Sequence, residues 1–104
     1  MKGVNILIQS FANQESRDIY DGNNTKKARK LCPRTLWRNA QKKLTLLNTA
    51  KRLADLRCPP GNRLEALSQE REGQWSIRIN DQYRICFYWF DSGPTEVEIV
   101  DYHS

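Results

Sequence analysis

GQWSIRINDQYRICFYWF, residues 73–90, decides the fold. Two runs rich in aromatic and β-branched residues flank Asn80-Asp81-Gln82, which predicts a β-hairpin. Trp75, Ile77 and Ile79 share one face of the first strand, and Tyr83, Ile85 and Phe87 share one face of the second. Cross-strand partners point the same way, so paired residue numbers must have an even sum if both apolar sets are to face one core. A three-residue loop achieves this by setting Ile79 opposite Tyr83 and Ile77 opposite Ile85. The same register sets Arg78 opposite Arg84 on the other face. Two facing guanidinium groups repel by a few tenths of a kcal/mol to roughly 1 kcal/mol. The pair therefore calls for an anion: a phosphate gripped by both, or a carboxylate from Glu70, Glu72, Glu96 or Glu98.

The segments on either side extend the sheet. TEVEIVDYH, residues 95–103, reads as a last strand. With Val97 and Ile99 in the core, Tyr102 falls on the arginine face. One register sets Tyr102 opposite Arg84, and the adjacent one sets Val100 there with Tyr102 as a diagonal neighbour. His103, the one histidine of the chain, follows. Upstream, RLEAL (63–67) reads as a short strand, and RCPPGN (57–62) ends everything helical before it.

The first half is predicted helical after an opening strand. GVNILIQSF (3–11) alternates as a strand buried on one face, and ANQESRDIYDGNN (12–24) reads as a short helix closed by Gly22. Thr25 caps TKKARKLC. In PRTLWRNAQKKLTLL (33–47), Pro33 suits the first helical position, and Trp37, Ala40, Leu44 and Leu47 form one apolar stripe. NTAKRLADL (48–56) either continues that helix or forms a second one after a kink. The fold class expected is α+β: an N-terminal strand and helices packed on one face of a C-terminal antiparallel sheet, with residues 1–104 as a single domain.

Charge is unevenly spread. The chain of 104 residues carries 17 Lys+Arg and 12 Asp+Glu, a net +5. Gly22 to Ala54 contains no acid and ten bases, among them Lys26, Lys27, Lys30, Arg34, Arg38 and Lys42. That balance suits an anionic partner such as nucleic acid, a membrane surface or an acidic protein; otherwise the segment is a solvated helix face. With one His and no Cys-x-x-Cys pair among Cys32, Cys58 and Cys86, no metal site or cofactor is expected. Free thiols fit a reducing cytoplasm, and no long apolar run predicts a signal peptide or membrane span.

These residue types fit RNA cleavage without a metal. The 2′-hydroxyl attacks the adjacent phosphorus, which needs a base, cations for the phosphorane, and an acid for the leaving 5′-oxygen. His103 and Tyr102 can move protons, while Arg84, Arg78 and Arg71 can carry charge. Unperturbed, the phenol is a weak acid near pKa 10 unless arginines lower it. Glu65, Glu70 and Glu72 are carboxylates near the entry to the sheet that can act as base or simply pair with Arg63 and Arg71. Tyr88 and Phe90, opposite the core face by alternation, are the base-stacking candidates.

LRCPPGNRLEAL (56–67), EREGQWSIRINDQYRICFYW (70–89) and VEIVDYH (97–103) resemble the HigB-type killer toxins of the RelE/ParE superfamily, as does the helical half upstream (28–56). The resemblance implies a small RelE-like toxin that cuts mRNA in the 70S ribosome and is neutralised by a helix-turn-helix, HigA-like antitoxin. It places the family's sheet arginine on Arg84, the terminal motif on Asp101, Tyr102 and His103, and an RNA-facing loop on Arg71 to Gly73. Some ribosome-dependent members carry a His and a Lys about six and three residues before that loop's arginine; those positions here are Glu65 and Ser68. ParE-like relatives inhibit gyrase without cutting RNA, so a non-catalytic toxin acting on gyrase or on ribosome assembly is the alternative.

Overall fold

The computed structural model describes residues 7–102. Three α-helices precede the sheet: α1 (Gln14–Asp21), α2 (Lys26–Leu31) and α3 (Trp37–Thr49). Asn13 caps α1 by accepting the Ser16 amide at 2.9 Å, and Gly22 closes it in the left-handed region at φ 77°. Thr25 caps α2 as predicted, accepting from the Ala28 amide at 3.2 Å. Pro33 stands just before a 3-10 turn, Arg34–Leu36, that feeds α3, rather than at the first helical position. Trp37, Ala40, Leu44 and Leu47 are the buried residues of α3, so the predicted stripe is the packed face. Burying side chains of this size stabilises by about 1.5–3 kcal/mol each.

After α3 the chain does not continue as an α-helix. It runs through 3-10 turns at Leu53–Arg57 and Pro60–Asn62. Asn62 locks this link under α3. Fully buried, its amide donates to the carbonyls of Leu56 (3.1 Å) and Cys58 (3.2 Å), and its Oδ1 accepts from Lys43. Burial of the ammonium and the nearby Arg78 charge lower the Lys43 pKa.

The chain then enters β1 (Glu65–Ala66), β2 (Trp75–Arg78), β3 (Tyr83–Phe90) and β4 (Gly93–Asp101). They form one antiparallel sheet in sequence order. The predicted hairpin register holds: Ile77 faces Ile85 and Arg78 faces Arg84. The last strand takes the second of the two registers, with Arg84 opposite Val100. A bulge sits between Cys86 and Tyr88, and on β4 Glu96 absorbs it at φ 51°. One face of the sheet buries Ile77, Tyr83, Ile85, Phe87, Val97 and Ile99 in a common core with Ile19 of α1 and the α3 stripe. Ser16 of α1 is pinned to β4, its Oγ accepting the Ile99 amide at 3.0 Å.

The N-terminal segment departs from expectation. Val4 and Ile6 lie outside the described residues. From Leu7 to Ser10 there is no strand, and Phe11 makes a single parallel bridge with Val97. Gln9, Ser10 and Ala12 still bond the backbone of Pro94 and Val97. The bulge at Glu96 turns this edge of β4, so the segment is stitched to it at a few points instead of pairing along it.

Candidate active site on the open face of the sheet

Strand alternation sends Ser76, Arg78, Arg84, Cys86, Tyr88, Phe90, Glu98, Val100 and Tyr102 to the side away from the helices. Cross-strand pairing makes one row of Glu65, Ser76, Cys86 and Glu98, and a second of Arg78, Arg84 and Val100. Repulsion within the arginine pair is relieved by divergence. Arg78 swings to Asp81 in the hairpin loop. Arg84 turns the other way: its Nε donates to Ser76 Oγ at 2.8 Å, and its Nη2 donates to the Arg63 carbonyl at 2.7 Å. Glu65 lies 3.4 Å from the same Nη2. The Arg84 side chain is only 11% exposed, while that of Glu65 is 58% exposed, so the pair opens to solvent through the carboxylate.

Tyr102 meets this arginine. Its ring centroid is 5.9 Å from the Arg84 guanidinium carbon, and its amide donates to the Gln82 carbonyl at 2.7 Å, tying the strand's end to the hairpin. The 67–74 loop closes over the neighbouring row. Arg71, at the end of a 3-10 turn, reaches Gln74 Oε1 (3.0 Å) and Glu98 (3.2 Å). An open depression of about 310 Å³ results, lined by Leu67, Ser68, Gln69, Glu70, Arg71 and Tyr102.

Beside this depression the Cys86 thiol and the Tyr102 hydroxyl lie 3.7 Å apart. Burial raises the Cys86 pKa, against the opposing influence of the Tyr102 hydroxyl, Arg71 and Arg84. Burial is also the main cause that raises the Tyr102 pKa, with Cys86 adding to it and Arg84 and Arg71 opposing. The residue is 45% exposed, but its hydroxyl end abuts the buried thiol, so desolvation outweighs the two cations there. The phenol is therefore protonated at neutral pH rather than activated as an anion. Desolvation opposes the Arg71 charge, but the hydrogen bond and charge of Glu98 outweigh it and raise its pKa.

Other predicted residues stand apart. Asp101 alternates to the helix side, opposite Tyr83, where it accepts from Gln82 at 3.2 Å. Its charge adds to burial in pushing the Cys32 thiol up to about 11. His103 lies outside the described residues. Lys26, Lys27 and Lys30 on α2, Arg34 before α3, and Arg38 and Lys42 on α3 are exposed, forming the basic flank of the helical layer. A larger groove of about 720 Å³ runs between α3 and Ile79, rimmed by Arg38, Lys42 and Lys43. Among the described residues, no three His, Cys, Asp or Glu side chains are grouped as metal ligands.

Sequence reasoning missed Ser76 and Cys86 as parts of this site, and it offered Glu98 as a partner for the Arg78–Arg84 pair where the structure pairs it with Arg71. The hairpin register already contained the first pair, because the sum that sets Arg78 opposite Arg84 also sets Ser76 opposite Cys86. The carboxylates that pair with the arginines are Glu65 of β1, Asp81 of the hairpin loop and Glu98 of β4; the direction of the loop carboxylate is not encoded by alternation.

A four-stranded antiparallel sheet, helices on one face and a cation–phenol cluster on the other, is consistent with the RelE-like fold. Residues 9–103 match the family described as RelE-like toxin of type II toxin-antitoxin system HigB, and the chain belongs to that family. It is 43% identical over 65 residues to Toxin HigB-1 of Vibrio cholerae serotype O1, covering 62% of this chain and 68% of that one. It is 36% identical over 72 residues to an uncharacterised protein of Haemophilus influenzae, covering 69% of this chain and 70% of that one. Membership of a type II system implies a cognate antitoxin as partner. Among the described residues no helix is long and apolar enough to cross a membrane.

Proposed function

We propose that the chain is a ribosome-dependent mRNA endonuclease whose open sheet face cleaves RNA by 2′-hydroxyl attack. The observation that carries this reading is Arg84 held between Glu65 at 3.4 Å and the Tyr102 ring at 5.9 Å on the open face of the sheet. Arg84 is fixed by Ser76 and the Arg63 carbonyl, so its guanidinium is preorganised to meet phosphorane charge. Glu65, exposed beside it, takes the 2′-hydroxyl proton. Attack forms a 2′,3′-cyclic phosphate and expels the 5′-oxygen, which takes a proton from Tyr102 or from His103 next to it in the chain. The raised Tyr102 pKa supports a donor role for the phenol.

Arg71, at the depression, positions the RNA strand, and Arg78 extends the cationic surface toward the hairpin. Asp101, on the helix side, holds the strand that presents Tyr102. The basic flank, Lys26, Lys27, Lys30, Arg34, Arg38 and Lys42, lies along ribosomal RNA phosphates. The antitoxin is a helix-turn-helix, HigA-like protein. Induction of the chain followed by transcript-end mapping tests the reading, with Arg84→Ala and His103→Ala alongside. Expected are cut mRNAs and relief by both substitutions. Growth arrest with intact transcripts and DNA damage would transfer the toxin to gyrase.

A further inference from the structure

Two large aromatic side chains, Phe90 (54%) and Tyr102 (45%), are markedly exposed among the described residues. Both lie on the open face, at opposite ends of the track that carries Arg84 and Arg71. Phe90 stacks on Tyr88, with centroids 5.9 Å apart and ring planes 9° from parallel. The rear ring is held from below: a Cβ at Gly73 would stand 3.6 Å from Tyr88, so the 72–74 turn closes against it. Across the ladder Phe90 faces Gly93, which has no side chain to lie over it. A rigid, parallel, half-bare pair of rings is thus presented at the strand's end.

We propose that Phe90, backed by Tyr88, is a stacking subsite for one unpaired base of a single-stranded RNA whose phosphate lies at the Arg84 cluster. Same-face residues on a strand are about 7 Å apart. Phe90 is three such steps from Arg84, a span of a few nucleotides along one continuous face. Cations at one end and an aromatic face at the other are the two elements by which proteins hold single strands. Stacking on a ring accepts any base, so this subsite adds grip and direction without fixing a sequence. The proposal rests on the nuclease reading for the nature of the ligand.

A short 2′-O-methyl oligoadenylate tests it, because it lacks the 2′-hydroxyl nucleophile and stays intact. Anisotropy titrations compare the wild type, Phe90→Ala and Phe90→Leu, each against this probe and one with an abasic site at a single position scanned along it. Both substitutions are expected to weaken binding by roughly fivefold to a hundredfold. One abasic position is expected to weaken the wild type similarly and leave the variants unaffected. Leu keeps bulk and apolarity, so equal loss in both variants assigns the effect to the ring face. Binding unchanged in either variant, or weakened without any abasic dependence, overturns the subsite. So does loss confined to antitoxin binding, which would make the rings a protein-docking surface. Cleavage on programmed ribosomes is measured in parallel. Cut mRNA with Phe90-independent binding removes the subsite alone, and uncut mRNA with Phe90-dependent binding removes the nuclease reading alone.

Discussion

Arg84→Lys keeps the positive charge and discards the fork. In the native protein Nε and Nη2 reach two acceptors on different strands and loops, Ser76 Oγ and the Arg63 carbonyl, at 2.8 and 2.7 Å. A lysine ammonium is a single point and satisfies one of them. A hydrogen bond from a charged donor contributes about 1.5–3 kcal/mol, and the Ser76 hydroxyl is fully buried, so its lost partner is not replaced by bulk water. The Glu65 contact adds less than about 1 kcal/mol because the carboxylate is largely exposed. The expected loss of stability is about 2 kcal/mol, or roughly 10 °C in Tm for a domain of this size. Cleavage should fall further, by roughly a hundredfold to a thousandfold, the usual effect of removing one preorganised donor to transition-state charge. Urea melts and 3′-end mapping on ribosome-bound mRNA give both numbers. If Arg84→Lys cuts within about threefold of wild type, charge alone suffices and the positioning argument is refuted.

Asn62→Ala removes an amide that satisfies the buried Leu56 carbonyl, the part-buried Cys58 carbonyl and Lys43, and should cost about 2–3 kcal/mol in a urea melt while leaving the sheet face unchanged. Tyr102→Phe should lower cleavage by at least about a hundredfold with little change in stability, and the wild-type rate should show no limb from phenol ionisation below about pH 10. Cys32, pushed up to about 11, stays protonated in the fold after the unfolded thiol has ionised near its ordinary 9.0. Its contribution is therefore present below pH 9 and is lost as pH rises towards 11, by roughly 2–3 kcal/mol. Paired urea melts across that range should show a shallower decline for Cys32→Ala.

The hairpin register and the α3 stripe were legible because each depends on side-chain period alone. Even-sum pairing set Arg78 opposite Arg84, and the 3.6 period set Trp37, Ala40, Leu44 and Leu47 inward. What period does not carry was hidden. Arg78 and Arg84 leave the sheet in opposite directions because their partners, Asp81 and the β1 segment, stand on opposite sides of the pair. The bulge at Glu96 was also invisible. Alternation from Val97 to Ile99 is intact beyond it, and nothing in the residue types marks a glutamate for positive φ. That one extra residue is why the N-terminal segment meets β4 at points instead of as a strand. The direction of the Tyr102 shift was left open by the sequence: the arginines are near enough to act, but burial beside the thiol prevails.

Glu65 occupies the solvent side of Arg84 much as a placeholder occupies a seat. The guanidinium sheds most of its hydration when the domain folds, and the carboxylate compensates for it there. Under the proposed function, an arriving phosphate would exchange with another anion instead of stripping water from a bare cation. In the proposed reaction, release of that carboxylate at the same moment would leave it unpaired beside the substrate.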